Sequence, residues 1–411
     1  MSKSILISFI GKGNYQKTNY KFSEEKIIEK YLFGVALFNY LRSKGENIDL
    51  FLIGTNQSGW AEIIDLVENI TNNELFEKID EQEKKIKNNK EVHEDTLNNF
   101  LSLIEQNENI KIKFSLLKNP PSPEEISKNI LEKLLSLLDR ENYNKIIFDL
   151  THGYRYLPFV VLLDLLVLKK IKNFELEIFY GFLEHRNEDG TKPVMRLNHL
   201  EELVKLGETL EILESTGNFK NYYNLIDIDK ENSIANEINF KMEINAAIKQ
   251  DKIKRLLSTK NTLSYADAIH QEVKKKYIEQ FLDDYFSDRL KKRARFFFDR
   301  GQYLKAILLL HEAIIVLAGR KAGIIDSSSN LDYKKRNEAK ERLDNSNIYD
   351  WKVLKYLRNA CAHGTVIQYD NTDVEPKKEV GEALKNEEKL KKVLEKSFIF
   401  YENIKQDITK I

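Results

Sequence analysis

The sequence predicts an α/β domain of the Rossmann type followed by an all-α domain. In the first half, short runs rich in β-branched and aromatic residues alternate with stretches of helical periodicity, a pattern typical of βαβ units and a mainly parallel sheet. From about Glu201 onward the strand-like runs fade and long amphipathic patterns take over. We therefore expect an α/β domain at 1–205, a helical linker region at 206–285 and a helical domain at 286–411.

Five strands are predicted, at residues 4–10, 48–54, 111–117, 145–150 and 174–182. Helical periodicity between them covers residues 24–43, 60–70, 123–139 and 157–170, and the polar segment 77–109 is predicted to be a solvated helical excursion. In the second half the same periodicity predicts helices at 236–257, 266–286, 300–320, 351–363 and 378–405.

Composition excludes several classes of protein. The chain carries 65 Lys and Arg against 65 Asp and Glu, so any site for a polyanion must be local. The single Cys361 rules out an internal disulfide and a Cys-rich metal site, and we assign this thiol no role. Because no leader or membrane-spanning pattern is evident, we expect a soluble cytoplasmic protein with no membrane partner.

Polar, glycine-containing loops follow three of the predicted strands. They lie at 11–15, 54–60 and 151–155, where parallel sheets bind ligands. Glycines allow close approach of a phosphate, and Lys12 and Arg155 supply positive charge. Each loop alone also fits an ordinary βα turn, but together the three favour a nucleotide-like ligand. Gln16 breaks the GxGxxG fingerprint and no GxxxxGK[ST] motif occurs, so NAD binding and nucleoside triphosphate hydrolysis are not expected.

The second half contains an Arg and a His at a predicted helix end. Asn359 and His363 are four residues apart on one helix face, Arg358 is displaced by about 100°, and Gly364 is a natural helix stop. Arg can clamp a phosphodiester and His can move a proton, which are the needs of metal-independent RNA cleavage by the ribose 2′-hydroxyl. The alternative is chance spacing, with a His that merely favours the helix dipole.

Two neighbouring features leave alternatives open. A basic cluster interleaved with Phe296, Phe297 and Phe298 suits either RNA or a solvated helix face; its members are Lys291, Lys292, Arg293, Arg295 and Arg300. Glu312 lies in an otherwise apolar helix, and because an unpaired charge there is costly, we expect it to meet a cation such as Arg358.

Three segments together resemble the CRISPR-associated ancillary ribonucleases of type III systems (Csx/Csm-type), which join an N-terminal CARF domain to a C-terminal HEPN domain. The segments are Asp-Leu-Thr-His-Gly-Tyr-Arg at 149–155, the Gly-Thr and Ser-Gly-Trp residues of 54–60, and Arg358-Asn359 through His363. The resemblance implies a homodimer, or a higher oligomer, in antiviral defence. Its CARF half binds a cyclic oligoadenylate as allosteric activator, and its HEPN half cuts single-stranded RNA with no metal or other cofactor.

The resemblance also assigns roles to residues. Arg358, Asn359 and His363 would be catalytic, with two copies meeting across the dimer axis. The cyclic oligoadenylate site would comprise Gly11, Lys12, Gly13, Asn14, Thr55, Thr151, His152, Gly153 and Arg155. Two alternatives remain: a cyclic-oligoadenylate-sensing regulator whose HEPN half does not cut RNA, and a ring nuclease that destroys the messenger through Thr151 or His152. Ring size and base preference are left open.

Overall fold

The computed structural model describes residues 3–68, 73–226, 232–244, 248–258, 267–278, 285–325, 332–364 and 374–409. The chain divides into two compact units, Met1–Leu203 and Val204–Ile411. The first contains an α/β sheet and the second is helical, so the predicted fold class is confirmed. The expected domain limits at 205 and 285 stay predictions. Within the described part of the chain, no helix combines the length and apolarity needed to span a membrane.

The first unit is built on a mixed sheet with a parallel centre. Its strands are β1 (Lys3–Ile10), β2 (Thr18–Ser23), β3 (Lys26–Lys30), β4 (Ile48–Thr55), β5 (Ile112–Leu117), β6 (Tyr143–Asp149), β7 (Glu175–Gly181) and β8 (Lys192–Arg196). Their order is β3-β2-β8-β7-β6-β1-β4-β5. Strands β7, β6, β1, β4 and β5 run parallel, whereas β8 is antiparallel to β7 and β3 is antiparallel to β2. The carboxyl ends of the five parallel strands therefore share one edge.

Helices cover both faces of this sheet. They are α1 (Phe33–Ser43), a 3₁₀ turn (Trp60–Leu66), α2 (Asn73–Asn88), α3 (Glu94–Glu108), α4 (Pro123–Glu141) and α5 (Tyr156–Lys169). Alternate side chains of β1 enter opposite cores: Leu6 packs with residues of α1 and α3, and Ile7 packs with residues of α4 and α5. This is the alternation that a strand buried on both faces requires.

The five predicted strands are all present, but three helical predictions for this unit need correction. The helix predicted at 60–70 is a 3₁₀ helix over Trp60–Leu66, and residues 69 and 70 lie outside the described part. Residues 24–43 are not one helix, because Lys26–Lys30 forms β3 in a hairpin with β2 and α1 begins only at Phe33. Segment 77–109 is mostly helical as predicted, but it is not simply solvated. Leu97, Phe100 and Ile104 of α3 are fully buried, because they repeat at the spacing of one helix face.

The second unit is a set of packed helices. They are α6 (Asn198–Thr216), α7 (Lys220–Leu225), α8 (Asn232–Glu243), α9 (Gln250–Leu257), α10 (Asp267–Val273) with a π-helical turn (Lys274–Ile278), α11 (Phe286–Phe298), α12 (Tyr303–Lys321), α13 (Tyr333–Asn345), α14 (Tyr349–His363), α15 (Glu375–Ala383) and α16 (Glu387–Lys405). Helix α12 is buried along most of its length and contacts α11, α13, α14 and α16. It therefore forms the centre of the helical core.

The helices predicted at 300–320 and 351–363 correspond to α12 and α14. The helix predicted at 378–405 is interrupted, because Asn386 caps a new helix by accepting a hydrogen bond from the Lys389 amide at 3.0 Å. The helix predicted at 236–257 is two helices, α8 and α9, and residues 245–247 lie outside the described part. Residues 266 and 279–284 of the helix predicted at 266–286 also lie outside it.

Candidate ligand site and candidate nuclease site

Loops from four parallel strands meet at the carboxyl edge of the sheet. Lys12 Nζ donates to Gln57 Oε1 at 2.8 Å, and Asn119 Nδ2 donates to the same oxygen at 2.8 Å. The Tyr154 hydroxyl donates in turn to Asn119 Oδ1. This chain of hydrogen bonds joins the loops after β1, β4, β5 and β6 into one polar rim. Gln57 and Tyr154 lie in two of the predicted polar loops but were not among the predicted ligand residues. Asn119 lies in the loop after β5, which was not predicted to contribute, although the rule about strand ends applies there too.

Two of the predicted ligand-binding glycines are required by packing. A Cβ at Gly11 would lie 3.1 Å from the Gly153 amide nitrogen. Gly153 has φ +98°, and a Cβ there would lie 3.0 Å from Cβ of Phe9. Gly11 and Gly153 therefore let the loops after β1 and β6 approach closely, and Gly153 also has a backbone conformation that only glycine adopts readily.

The side-chain hydroxyls of Thr55 and Thr151 interact with other groups of the protein. Thr55 is 1% exposed, and its hydroxyl lies 3.2 Å from Ser58 Oγ, which itself donates to the Ile10 carbonyl at 2.7 Å. Thr151 Oγ1 accepts a hydrogen bond from the Gly181 amide at 2.8 Å. Both hydroxyls therefore hold neighbouring loops in place.

His152 is buried and already engaged. Its Nε2 accepts a hydrogen bond from the Phe33 amide, the first residue of α1, at 3.0 Å, so the neutral ring carries its proton on Nδ1. Burial lowers the pKa of His152 to about 4. The imidazole thus satisfies one of the amides that every helix start leaves without an intrahelical partner. A role as general base through Nε2 would require this bond to break.

Asp149 forms a buried carboxyl group below the same loop. Ser8 Oγ donates to its Oδ2 at 2.7 Å and the Thr151 amide donates to its Oδ1 at 2.8 Å. Complete burial raises the pKa of Asp149 to about 6, although both hydrogen bonds act in the opposite direction. Gly34 of α1 is packed against this pair, because a Cβ there would lie 1.9 Å from Ser8 Oγ.

Four predicted ligand residues remain exposed at the edge: Lys12, Gly13, Asn14 and Arg155. The nine predicted positions therefore separate into five that shape the loops and four that face solvent. A ligand at this edge would meet two cationic side chains, one from the loop after β1 and one from the loop after β6. These are the groups expected to hold phosphates.

The predicted catalytic residues lie at the end of α14. Arg358 Nη1 donates to Asn359 Oδ1 at 3.1 Å. His363 is the last helical residue and is exposed, and Gly364 ends the helix with φ +65°. Five residues of helix separate the directions of Arg358 and His363 by about 140°, so the helix of one chain does not aim both at the same point.

Arg358 lines a cavity of about 280 Å³ within the helical unit, together with His311 and Glu312 of α12. The predicted pairing of Glu312 with Arg358 is wrong. Glu312 instead makes a bidentate ion pair with Arg336 of α13, at 2.5 and 2.6 Å. The planar guanidinium of Arg336 matches both carboxylate oxygens, and Arg358 makes no ion pair with any described residue.

The basic cluster of α11 separates into two parts. Lys291, Arg295 and Arg300 each form an ion pair with a glutamate, at 2.6 Å in every case. Arg300 and Arg295 also lie over the rings of Phe296 and Phe398 at 3.6 and 3.9 Å. These cations belong to a paired helix face, whereas Arg293 is buried and lines the cavity that contains Arg358.

Among the described residues, Cys361 and the acidic side chains give no sign of a reactive thiol or a metal site. Burial raises the pKa of the half-buried Cys361 thiol, which disfavours its reactive thiolate form. In the described segments, no three His, Cys, Asp or Glu side chains come together in a group that could hold a metal ion.

Residues 5–194 match the family described as "CRISPR system endoribonuclease Csx1, CARF domain". No curated protein sequence matches the chain. Among solved structures, Enterococcus italicus Csm6 bound to cyclic hexa-2′-fluoro-hexa-dAMP aligns over 98% of this chain and 98% of its own, with a TM-score of 0.35 and 11% identity. By the family match, residues 5–194 of the α/β unit are similar to the CARF domain of that family.

Proposed function

We propose that the protein is a cyclic-oligoadenylate-activated, metal-independent endoribonuclease that cuts single-stranded RNA in type III CRISPR defence. One observation carries the nuclease part: Arg358 lines a cavity in the helical unit while His363 is exposed at the end of the same helix. The match of residues 5–194 to the CARF domain of an endoribonuclease supports the sensing part.

The reaction needs only the substrate and these side chains. The ribose 2′-hydroxyl oxygen attacks the adjacent phosphorus and the bond to the 5′ oxygen breaks. The products are a 2′,3′-cyclic phosphate and a 5′-hydroxyl, and the proton lost by one oxygen is gained by the other. His363 moves this proton, Arg358 stabilises the charge on the phosphoryl oxygens, and Asn359 orients Arg358 through their hydrogen bond.

A homodimer would complete the site. Because Arg358 and His363 of one helix diverge by about 140°, two copies of α14 related by a two-fold axis can direct groups from both chains at one phosphodiester. The α/β unit also exposes an apolar stripe formed by Phe159, Leu163 and Val167 of α5 and by Ile171 just after this helix. These residues follow directly after the candidate ligand loop.

Activation would be a population shift. A two-fold symmetric ring that contacts Lys12, Asn14 and Arg155 of both copies favours the arrangement of the helical units in which the catalytic residues are correctly spaced. Gly13 lies beside these residues at the exposed edge, and the other five ligand positions, Gly11, Thr55, Thr151, His152 and Gly153, give the loops their shape. The helices of 236–286 would transmit the change.

The test is cleavage of labelled single-stranded RNA in EDTA, with and without cyclic tetra-adenylate or hexa-adenylate. We expect one ring to switch on cleavage, and His363→Ala to abolish it. His93→Ala removes an exposed imidazole from the α/β unit and should leave activity unchanged. A substrate with 2′-deoxyribose at the cut site should resist cleavage, because it lacks the attacking hydroxyl. Cleavage of all-deoxy substrate would refute the mechanism. Ring binding without any cleavage would favour a sensing regulator, and ring cleavage lost in Thr151→Ala would favour a ring nuclease.

A further inference from the structure

The cavity beside Arg358 is lined by residues of five helices, α6, α8, α11, α12 and α14, and its cationic side chains come from three of them. Arg293 comes from α11, Lys305 and His311 come from α12, and Arg358 comes from α14. Its volume is about 280 Å³, close to the lower limit of about 300 Å³ for small-molecule pockets. Phe297 supplies an aromatic wall. The cavity therefore offers both cationic groups and an apolar surface.

Arg293 is buried without full hydrogen bonding. It is 9% exposed, and its Nη2 donates to the Met242 carbonyl at 2.6 Å. Its buried Nε has no hydrogen-bond partner among the described residues. Burial lowers the pKa of Arg293 to about 10, and Glu243, another lining residue, acts in the opposite direction. A buried donor without a partner is costly, so Arg293 has unused donor capacity beside the cavity that it lines.

The charges around the cavity favour an anion. Lys305 makes no ion pair with a described residue, and its Nζ lies 4.8 Å from the centre of the Phe297 ring. Glu312 is neutralised by Arg336. The lining therefore holds three cationic side chains, Arg293, Lys305 and Arg358. Glu243 is the one carboxylate of the described lining without an ion pair. His311 stays neutral, because burial and the neighbouring cations lower its pKa to about 3.

We propose that this cavity is a subsite for the RNA nucleotide next to the phosphodiester held by Arg358. Lys305 and Arg293 bind the flanking phosphate, with the unpaired Nε of Arg293 as a donor, and Phe297 contacts the sugar or base. Anion and aromatic contacts together are what a nucleotide uses in single-stranded RNA recognition. This subsite rests on the proposed nuclease function and adds a residue set that binds the substrate away from the bond that breaks.

Binding can be measured without cleavage. In a His363→Ala background, a 5′-fluorescein-labelled single-stranded RNA is titrated by fluorescence anisotropy, with and without each cyclic oligoadenylate. We expect Lys305→Ala and Arg293→Lys each to weaken binding about tenfold, the effect of losing one charge-assisted contact. The slope of log affinity against log salt should fall by about 0.7 per lost phosphate contact. Lys291→Ala, the same substitution at the paired face of α11, should change neither quantity.

Kinetics and folding controls separate the subsite from the catalytic step. In the otherwise wild-type chain, Lys305→Ala should raise KM about tenfold and leave kcat nearly unchanged, since it removes binding common to substrate and transition state. Lys305 is exposed, so this variant keeps the test valid if Arg293→Lys does not fold.

The outcomes distinguish the two proposals. If wild type cleaves RNA but neither variant changes affinity or KM, the subsite is wrong and the nuclease stands. If no condition gives cleavage while both variants weaken RNA binding, the subsite stands and the nuclease mechanism fails. If the His363→Ala protein binds no RNA under any condition, the subsite is overturned.

Discussion

Asp149 and His152 are buried within three residues of each other, and burial shifts their pKa values in opposite directions. The pKa of Asp149 is raised to about 6, and the pKa of His152 is lowered to about 4. Burial penalises the charged form in both cases, so both side chains are held neutral more readily than in water. The family resemblance assigned His152 a ligand-binding or catalytic role, and that role stays a prediction. In a sequence, a polar loop after a strand looks the same whether its side chains face a ligand or the protein.

Asp149 should make stability fall as pH rises. Its folded pKa, about 6, lies above the unfolded value of 3.8, so between these values the folded state binds the proton and the unfolded state does not. The contribution of Asp149 to the free energy of unfolding is fully present below pH 4 and is lost by about pH 7. The loss is on the order of 3 kcal/mol, from about two pKa units. The contributions of His152 and His311 to stability instead increase as pH rises through this range, because burial lowers their folded pKa values.

A comparison with Asp149→Asn isolates the carboxyl group. The amide can accept from the Thr151 amide and donate to Ser8 Oγ, so it replaces the protonated acid. We expect the variant to gain stability relative to wild type as pH rises from 4 to 7, measured by urea unfolding at each pH. A constant difference across that range would show that Asp149 does not titrate in it.

Glu312 illustrates what spacing in a sequence cannot provide. The need for a cationic partner was correctly inferred from one acidic residue in an apolar helix, but the partner was not Arg358. Arg336 lies on α13, and its identity depends on how α13 packs against α12. Sequence periodicity predicts which face of a helix is buried, yet it does not predict which neighbouring helix contributes a given side chain.

The ion pair should appear as an energetic coupling. A double-mutant cycle on Glu312→Gln and Arg336→Gln should give a coupling free energy of about 1–3 kcal/mol in urea unfolding, since the pair is bidentate and largely buried. The same cycle with Arg358→Gln should give a value near zero. Equal coupling in both cycles would contradict the observed pairing.

At the level of helices and strands, burial decided which elements could be predicted. Strands β1 and β4 are buried along nearly their whole length, because both of their faces are covered. Strands β2, β3 and β8 were not predicted, since their sequences are short and mix polar with apolar residues. Helix α5 was found, but its exposed apolar stripe becomes visible only when burial is known.

That stripe should hold two copies together. Phe159, Val167 and Ile171 are 62%, 61% and 66% exposed, and with Leu163 they repeat every four residues along α5. Such a continuous exposed apolar surface is typical of an interface. We expect Phe159→Glu with Val167→Glu to convert a dimer to monomers in sedimentation velocity and to lower ligand-activated cleavage. Ile27→Glu, at an exposed apolar residue of β3, should remain dimeric. A dimer that survives the double substitution would exclude this surface.

For the whole molecule, the order of an α/β unit before a helical unit was predictable, because the two periodicities of apolar residues differ along the chain. The exact position of the change stays a prediction. Helix α6 begins at Asn198, and the compact units divide at Leu203 and Val204, without a Pro- or Gly-rich segment to mark the point. Domain limits depend on contacts between distant residues, and composition alone does not record those contacts.

The number of ligands per chain tests the sensing proposal for the whole molecule. A single α/β unit presents Lys12 and Arg155 at one exposed edge, and a ring with two-fold symmetry would use the same residues from both copies. Isothermal titration of the full-length protein should therefore give one cyclic oligoadenylate per two chains. Arg155→Ala should weaken binding about tenfold or more, since both copies lose a phosphate contact at once. Arg140→Ala removes an exposed arginine from the last turn of α4 and should bind the ring like wild type. One ring per chain would show that each edge binds alone, and activation would then have to act within a single chain.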